Sequence, residues 1–313
     1  MCKRRFNERE LTVYIDRTNP VFAERLIKLM TDSGVSAQAF ALPKRRSELL
    51  GWTCRLKRSK PILIHYLWGN HGHLIYIISK LAGKKIIIHW IGTDVVCATS
   101  YKKWTYHGIL RKIAYRIADL HLVDFEPLAV ELRSLGIEAE VIPLVPDMPP
   151  PVEDVVWPRE DRLFVDLPET ELELYGGDTI FKLTQELPDI EFLIARHSGR
   201  GAPSLPNVKY LGYVDNLEPI WKQVKVYLRL TKHDGLAHGV VEALARGRHV
   251  VWSQSLPYCH KASTFEEALD VIRSILRQNQ PNIDGMHYAR SEFDPLRIAE
   301  NLKRAYLKVI EDK

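Results

Sequence analysis

The sequence is poor in cysteine. Its four residues, Cys2, Cys54, Cys97 and Cys259, stand far apart, with no spacing that suits a zinc site or a disulfide framework. They fit a reducing compartment, so the protein is expected to be cytoplasmic. The first ten residues have no apolar core behind their basic side chains, and no secretory signal is read there. No apolar run reaches the roughly 18–20 residues of a membrane span. The richest stretch, residues 73–91, is broken by Lys80, Lys84 and Lys85. No two aspartates stand two apart, so an Asp-x-Asp element for a divalent ion is missing. His71 and His73 have no carboxylate close by in sequence, and no metal is expected. No recognisable nucleic-acid module accompanies the charge, so nucleic acid is not expected as a partner.

What is present describes a globular chain. Its 313 residues are 46% hydrophobic and 27% charged, enough for two domains with separate cores. The formal net charge of +5 is unevenly shared: residues 1–150 hold 23 Lys and Arg against 14 Asp and Glu, and the remainder 21 against 25. The basic half is densest at Lys44, Arg45, Arg46, Arg55, Lys57, Arg58 and Lys60. A solvated surface and an anionic membrane surface met through Lys44–Lys60 are both open readings, the second placing the protein on the inner face of a membrane.

Strand-like and helix-like runs alternate along the chain, as in an α/β fold with parallel sheets. Strands are predicted at residues 10–16, 33–42, 61–68, 84–89, 119–123, 139–144, 163–167, 190–195 and 208–214. Helices are predicted at residues 20–30, 74–81, 101–118, 126–135, 178–186, 217–223, 264–277 and 295–310. The proline-rich run from Met148 to Pro158 reads as a stiff linker. The expected domains are residues 1–148 and 149–295, with residues 296–313 packing back on the first.

One stretch concentrates chemistry: Tyr227–Trp252, YLRLTKHDGLAHGVVEALARGRHVVW. A strand ends in a polar turn, an apolar-periodic helix follows, and Gly247 stops it before a second strand. Open parallel sheets bind ligands beyond the carboxyl ends of their strands. Arg229, Lys232, His233 and Asp234 fall there. The amides of Leu236, Ala237 and His238 at the start of the helix suit a phosphate. Glu242 stands among Val240, Val241, Ala243 and Leu244, where a carboxylate needs hydrogen-bond donors. A plainer reading keeps Glu242 on the solvent face or pairs it with Arg246.

Asp234 and Glu242, eight apart and followed by Ala-Leu-Ala-Arg-Gly and Val250-Val251, resemble the acidic-x7-Glu motif of family 4 retaining glycosyltransferases. Among its departures from that motif, Asp234 replaces a Glu, Leu236 a Phe, and His249 a Pro. A second match is KKIIIHWIGTD, residues 84–94, where His89 and Asp94 hold positions the family uses. Val208–Val214 resembles the family's NVxFLGxV segment. The loop Arg17-Thr18-Asn19-Pro20 replaces the usual Gly-Gly pair. Residues 164–178 lack the Arg and Lys that commonly neutralise a diphosphate.

The resemblance implies a GT-B fold, two Rossmann-like domains facing across a cleft with a C-terminal helix crossing back to the first domain. It implies transfer of a hexosyl group, with retention, from a UDP- or GDP-linked sugar to a hydroxyl of a glycan or lipid-linked acceptor, without a further cofactor. Asp234 would meet the sugar hydroxyls, Glu242 the ribose, and His89 the donor sugar. Asp94 would orient the acceptor, although a helix cap explains it as well. Arg229 and Lys232 would take over the diphosphate. Gly199 and Gly201 would approach the nucleotide, and Tyr213 would follow the backbone that meets the base. A nucleotide-sugar epimerase of the same fold and a catalytically silent scaffold are the alternatives.

Overall fold

Short runs such as Leu-Ile-His-Tyr (63–66) and Lys-Ile-Ile-Ile-His-Trp (85–90) carry almost no outward polar alternation, the pattern of strands covered on both faces. The computed structural model describes residues 11–69, 71, 73–100, 106–144, 146–150 and 155–311, and these strands are buried as their composition demands. The chain divides into two compact domains, Met1–Val145 with Pro295–Lys313, and Pro146–Asp294.

The first domain contains β1 (Thr12–Asp16), α1 (Pro20–Asp32), β2 (Ser36–Phe40), α2 (Leu49–Arg58), β3 (Leu63–Tyr66), α3 (His73–Leu81) and β4 (Lys85–Trp90). It continues with α4 (Thr93–Ser100), α5 (Tyr106–Arg116), β5 (Leu120–Val123), α6 (Glu126–Arg133) and β6 (Glu140–Val141). Among the described residues its six strands are parallel, in the order β2-β1-β3-β4-β5-β6. Pro20 at the start of α1 lacks the N–H that a first helical turn leaves unpaired, and the side chain of Asn19 accepts from the Phe22 amide.

The second domain contains β7 (Arg162–Asp166), α7 (Gly177–Glu186), β8 (Glu191–Ala195), β9 (Val208–Gly212), α8 (Glu218–Trp221), β10 (Val226–Arg229) and α9 (His238–Leu244). Then follow β11 (His249–Trp252), β12 (His260–Lys261), α10 (Phe265–Gln278) and α11 (Ile283–Glu292). This sheet is also parallel, in the order β12-β11-β10-β7-β8-β9. Its core joins Leu163, Val165, Ile194 and Leu228 of the strands to Ile180 and Leu183 of α7 and Ile272 and Ile275 of α10. Each such side chain contributes about 1.5–3 kcal/mol on burial. A capping box, Thr264 with Glu267, fixes the start of α10.

The last helix, α12 (Pro295–Glu311), belongs to the first domain. Ile298, Leu302, Ala305, Tyr306 and Val309 pack with Val13 and Ile15 of β1 and with Leu26 and Met30 of α1. Leu307 is partly buried against this cluster, whereas Leu296 is exposed.

Several local details differ from the sequence reading. The predicted 101–118 helix is α5, Tyr106–Arg116, with residues 101–105 outside the described residues, and a separate helix, α4, precedes it where none is predicted. The basic run ends on α2, an element the charge pattern masks. Trp52 and Leu56 bury one face of it, while Arg55, Lys57 and Arg58 occupy its last turn, where they complement the helix dipole. The division between domains falls before Pro146 because Asp147 is already tied to α9. Residues 151–154 of the linker lie outside the described residues. Beyond them Trp157 is fastened to the second domain, donating from Nε1 to Asn279 at 3.0 Å and lying under Lys225 and Arg248.

Candidate functional site

In the second domain the strand order β10-β7-β8 brings three chain segments together at one edge. Arg229 ends β10, Asp166 ends β7, and Arg196 directly follows β8. The Arg229 guanidinium donates from Nε (2.5 Å) and Nη2 (3.1 Å) to the two oxygens of Asp234, and from Nη1 to Asp166 at 3.1 Å. Thr231 also donates to Asp234, at 3.0 Å. Arg196 grips Asp166 from the other side with Nε and with Nη2 at 2.8 Å. The ring of Tyr175 lies beneath both guanidinium groups, its centroid 5.1 Å from each. Burial opposes charge on Arg229, but Asp234 and Asp166 more than reverse this and hold its pKa well above the ordinary value. Asp166, Tyr175 and Arg196 were not singled out by the motif reading. Lying in sequence outside the motif, they become neighbours of Arg229 only through strand order.

The turn after β10 and the helix after it account for the remaining motif residues. Lys232 is exposed, and its Nζ pairs with Glu173 at 2.6 Å, so it does not share the partners of Arg229. Leu236 and Ala237 are buried, and His238 opens α9 with Ala237 as its uncapped boundary residue. Glu242 is 5% exposed and its Oε1 accepts the Asp147 amide at 3.0 Å. The solvent-face reading of Glu242 is therefore wrong. Arg246 instead bonds the Glu242 carbonyl oxygen (3.0 Å), the Asp147 carbonyl oxygen (3.1 Å) and the Glu218 carboxylate (2.9 Å). Gly247 stops α9 as expected, with φ +71° and amides at Gly247 and Arg248 returning to Leu244 and Ala243.

The loop after β8 turns on Gly199 and Gly201, with φ of +86° and +74°. A side chain at Gly199 would also strike the Tyr210 ring, which binds this loop to β9. Ser198 and Gly199 donate their amides to Glu169 and to His197. Tyr213, just past β9, is 77% exposed.

The first-domain candidates are both buried. Asp94 is completely buried, and its oxygens accept amides from Gly69 (2.7 Å), Ile91 (3.1 Å), Gly92 (2.9 Å) and Val95 (3.1 Å). Burial raises its pKa above the ordinary carboxylate value, and the four amides oppose the shift. Asp94 thereby pins the loops after β3 and β4. His89 is also fully buried. Its Nδ1 lies 3.1 Å from His65 Nε2, the rings stack, and His65 Nδ1 lies 2.7 Å from the Tyr306 hydroxyl of α12. Burial holds both histidines neutral, pulling His65 down to about 4 and His89 well below its ordinary value. His89 thus stands inside a ring stack at the end of β4.

A motif-independent pair lies nearby. Asp16 ends β1, accepts amides from Thr18 and Leu67, and stands 3.2 Å from His71 Nε2. His71 lines a hollow of about 600 Å³ with Arg17, Thr18 and Lys44. Among the described residues, no group of three or more His, Cys, Asp or Glu could hold a metal ion. No described helix is long and apolar enough to cross a membrane.

No protein-family model matches the sequence, and no curated protein does either. Solved structures do match over nearly the whole chain. Sucrose-phosphate synthase from Thermosynechococcus elongatus superposes with a TM-score of 0.75 at 12% identity, covering 97% of this chain and 100% of its own. A glycosyltransferase from Rickettsia africae gives 0.73 at 8% identity, covering 97% and 99%. HepE from Anabaena, in complex with UDP and glucose, gives 0.69 at 11% identity, covering 94% and 99%. At such identities the likeness establishes the fold: two Rossmann-like domains of the GT-B type.

Proposed function

We propose that the protein is a glycosyltransferase that moves a sugar from a nucleotide sugar to a hydroxyl acceptor, with retention at the anomeric carbon. The observation that carries this reading is the acidic pair at the carboxyl edge of the second sheet. Asp234 is oriented there by Arg229, and Glu242 is buried on the helix that follows. UDP is the first donor class to test, because HepE was solved with UDP and glucose. A GDP-linked donor is the alternative class.

The chemical task is to stabilise a departing nucleoside diphosphate while an oxocarbenium-like sugar is met by the acceptor. Preorganised positive charge at the leaving group is the main electrostatic contribution. Arg229, with Lys232 and the amides of Leu236, Ala237 and His238, would supply it. Asp234 would hold sugar hydroxyls and Glu242 the ribose, while Gly199, Gly201 and Tyr213 border the nucleotide. No protein nucleophile is assigned. Asp94 and His89 act as positioning groups for the loops of the first domain.

Glu242→Ala should weaken UDP binding by about 1.5–3 kcal/mol, the contribution of a charged hydrogen bond. Glu242→Gln keeps an acceptor for the Asp147 amide and separates ligand contact from local structure. Calorimetric titration of folded variants checks this, and unchanged affinity in both would remove Glu242 from the ribose. Mutual neutralisation of Arg229 and Arg196 by Asp234 and Asp166 favours a second reading, a silent scaffold. It would be upheld if no UDP- or GDP-sugar shifts the melting temperature of the wild-type protein.

The acceptor is proposed to be a glycan or a lipid-linked molecule, met near an anionic membrane surface. Support comes from the exposed Lys44, Arg45, Arg55, Lys57, Arg58 and Lys60 around α2. Each cation near such a surface contributes about 1 kcal/mol. Reversing Lys57, Arg58 and Lys60 to Glu should abolish co-sedimentation with phosphatidylserine vesicles at physiological salt. Equal sedimentation of wild type and variant would count against membrane docking through α2.

A further inference from the structure

The carboxyl edge of the second sheet holds two arginines whose charges are already spent. Arg196 gives Nε and Nη2 to Asp166, and Arg229 gives Nη1 to the same carboxylate while Asp234 takes its Nε and Nη2. Two guanidinium groups thus face two carboxylates, and the local charge sums to zero. The two carboxylates are not equivalent. Asp234 touches Arg229 alone and fixes its orientation, with Thr231 as a second donor. Asp166 bridges both arginines, and its Oδ2 stands 2.8 Å from one and 3.1 Å from the other.

An oxygen shared between two guanidinium groups is the geometry a phosphate oxygen adopts between paired arginines. The bridge is also reachable. The Asp166 and Arg196 side chains keep 23% and 37% of their surface, against 10% for Arg229. Arg196 holds its place at φ +60°, a left-handed conformation uncommon for a residue with a side chain. Tyr175 beneath both guanidinium groups keeps them side by side. The pair is therefore organised from below by Tyr175 and from the flank by Asp234, independently of Asp166.

We infer that Asp166 is an internal competitor for a diphosphate: an anionic phosphate oxygen displaces it from between Arg196 and Arg229, and its charge sets the donor affinity. The choice of a diphosphate rests on the nucleotide-sugar reading above, whereas the competition itself rests on the arginine pair. Arg196 then becomes the second cation of the site, in place of the basic residues missing from positions 164–178. Displacement leaves Asp234 on Arg229, so the pair stays aligned while the net charge it offers rises by one.

Calorimetric titration of wild type, Asp166→Asn and Asp166→Asn/Arg196→Gln with inorganic pyrophosphate and with UDP tests this, alongside thermal melts. Removing a like charge a few ångströms from the anion should tighten binding of both ligands by roughly tenfold, after allowance for solvent screening. Adding Arg196→Gln should erase the gain. Asp166→Ser carries the same comparison if the asparagine variant does not fold. Equal or weaker binding by the folded variant overturns the inference, as does failure of both ligands to bind any of the chains. Wild type binding UDP without a gain in Asp166→Asn sinks the inference alone. A gain for pyrophosphate with no UDP binding by any chain sinks the nucleotide reading and leaves the competition standing.

Discussion

Arg229→Ala is expected to destabilise the second domain by about 3–5 kcal/mol, the range found when one partner of a buried ion pair is removed. Arg229 makes three hydrogen bonds to two carboxylates and lies over Tyr175. Alanine leaves Asp234, whose side chain is 14% exposed, with the Thr231 hydroxyl as its one remaining side-chain donor among the described residues. Asp166 suffers less because Arg196 still holds it, which places the effect toward the lower end. A melting temperature lower by about 10 °C would follow for a domain of this size. Arg229→Lys should recover little, since an ammonium group cannot reproduce the planar fork on Asp234. Thermal denaturation followed by circular dichroism measures both, and a loss below about 1 kcal/mol in the alanine variant would refute the account.

Asp94→Ala should have the next largest effect, about 3 kcal/mol in the first domain. Four amides converge on this carboxylate from two loops, and each buried donor left unsatisfied costs about 1–3 kcal/mol, part of which entering water recovers. Asp94→Asn should fare little better. One of its two oxygens becomes an NH2 group that faces backbone donors instead of accepting from them. Denaturant titration of the two variants gives the loss directly. Stability within about 0.5 kcal/mol of wild type would show that these loops hold their shape without Asp94.

The strand–turn–helix–strand at residues 226–252 was legible because several local signals agree there. Buried strand runs, a polar turn and a glycine at the one left-handed position all point to the same unit. The burial of Glu242 was legible from its apolar neighbours. The partners of the acidic residues were not. Asp166 and Arg196 lie 63 and 33 positions before Arg229, and only the order of strands in the sheet makes them neighbours. Sequence spacing carries no record of that order. His89 and Asp94 illustrate the opposite difficulty. Their positions match a motif, but whether a polar side chain at a strand end meets solvent or turns inward depends on what packs over it. For His89 the covering groups are His65 and Tyr306, the latter from the far end of the chain. Helix α2 was hidden because its exposed residues mix Leu50, Gly51 and Cys54 with Arg55, Lys57 and Arg58, which blurs the helical period, and only Trp52 and Leu56 are buried on it.

The docking of α12 has a consequence for how the polypeptide matures on the ribosome. The first domain's interior includes Ile298, Leu302, Ala305, Tyr306 and Val309, which are translated after every residue of the second domain. The earlier-made segment therefore waits with one wall open, Val13, Ile15 and Leu26 facing water, until residues near 309 emerge. The second domain is continuous in sequence and can close in the meantime. The half of the molecule that is synthesised first is the half that is finished last.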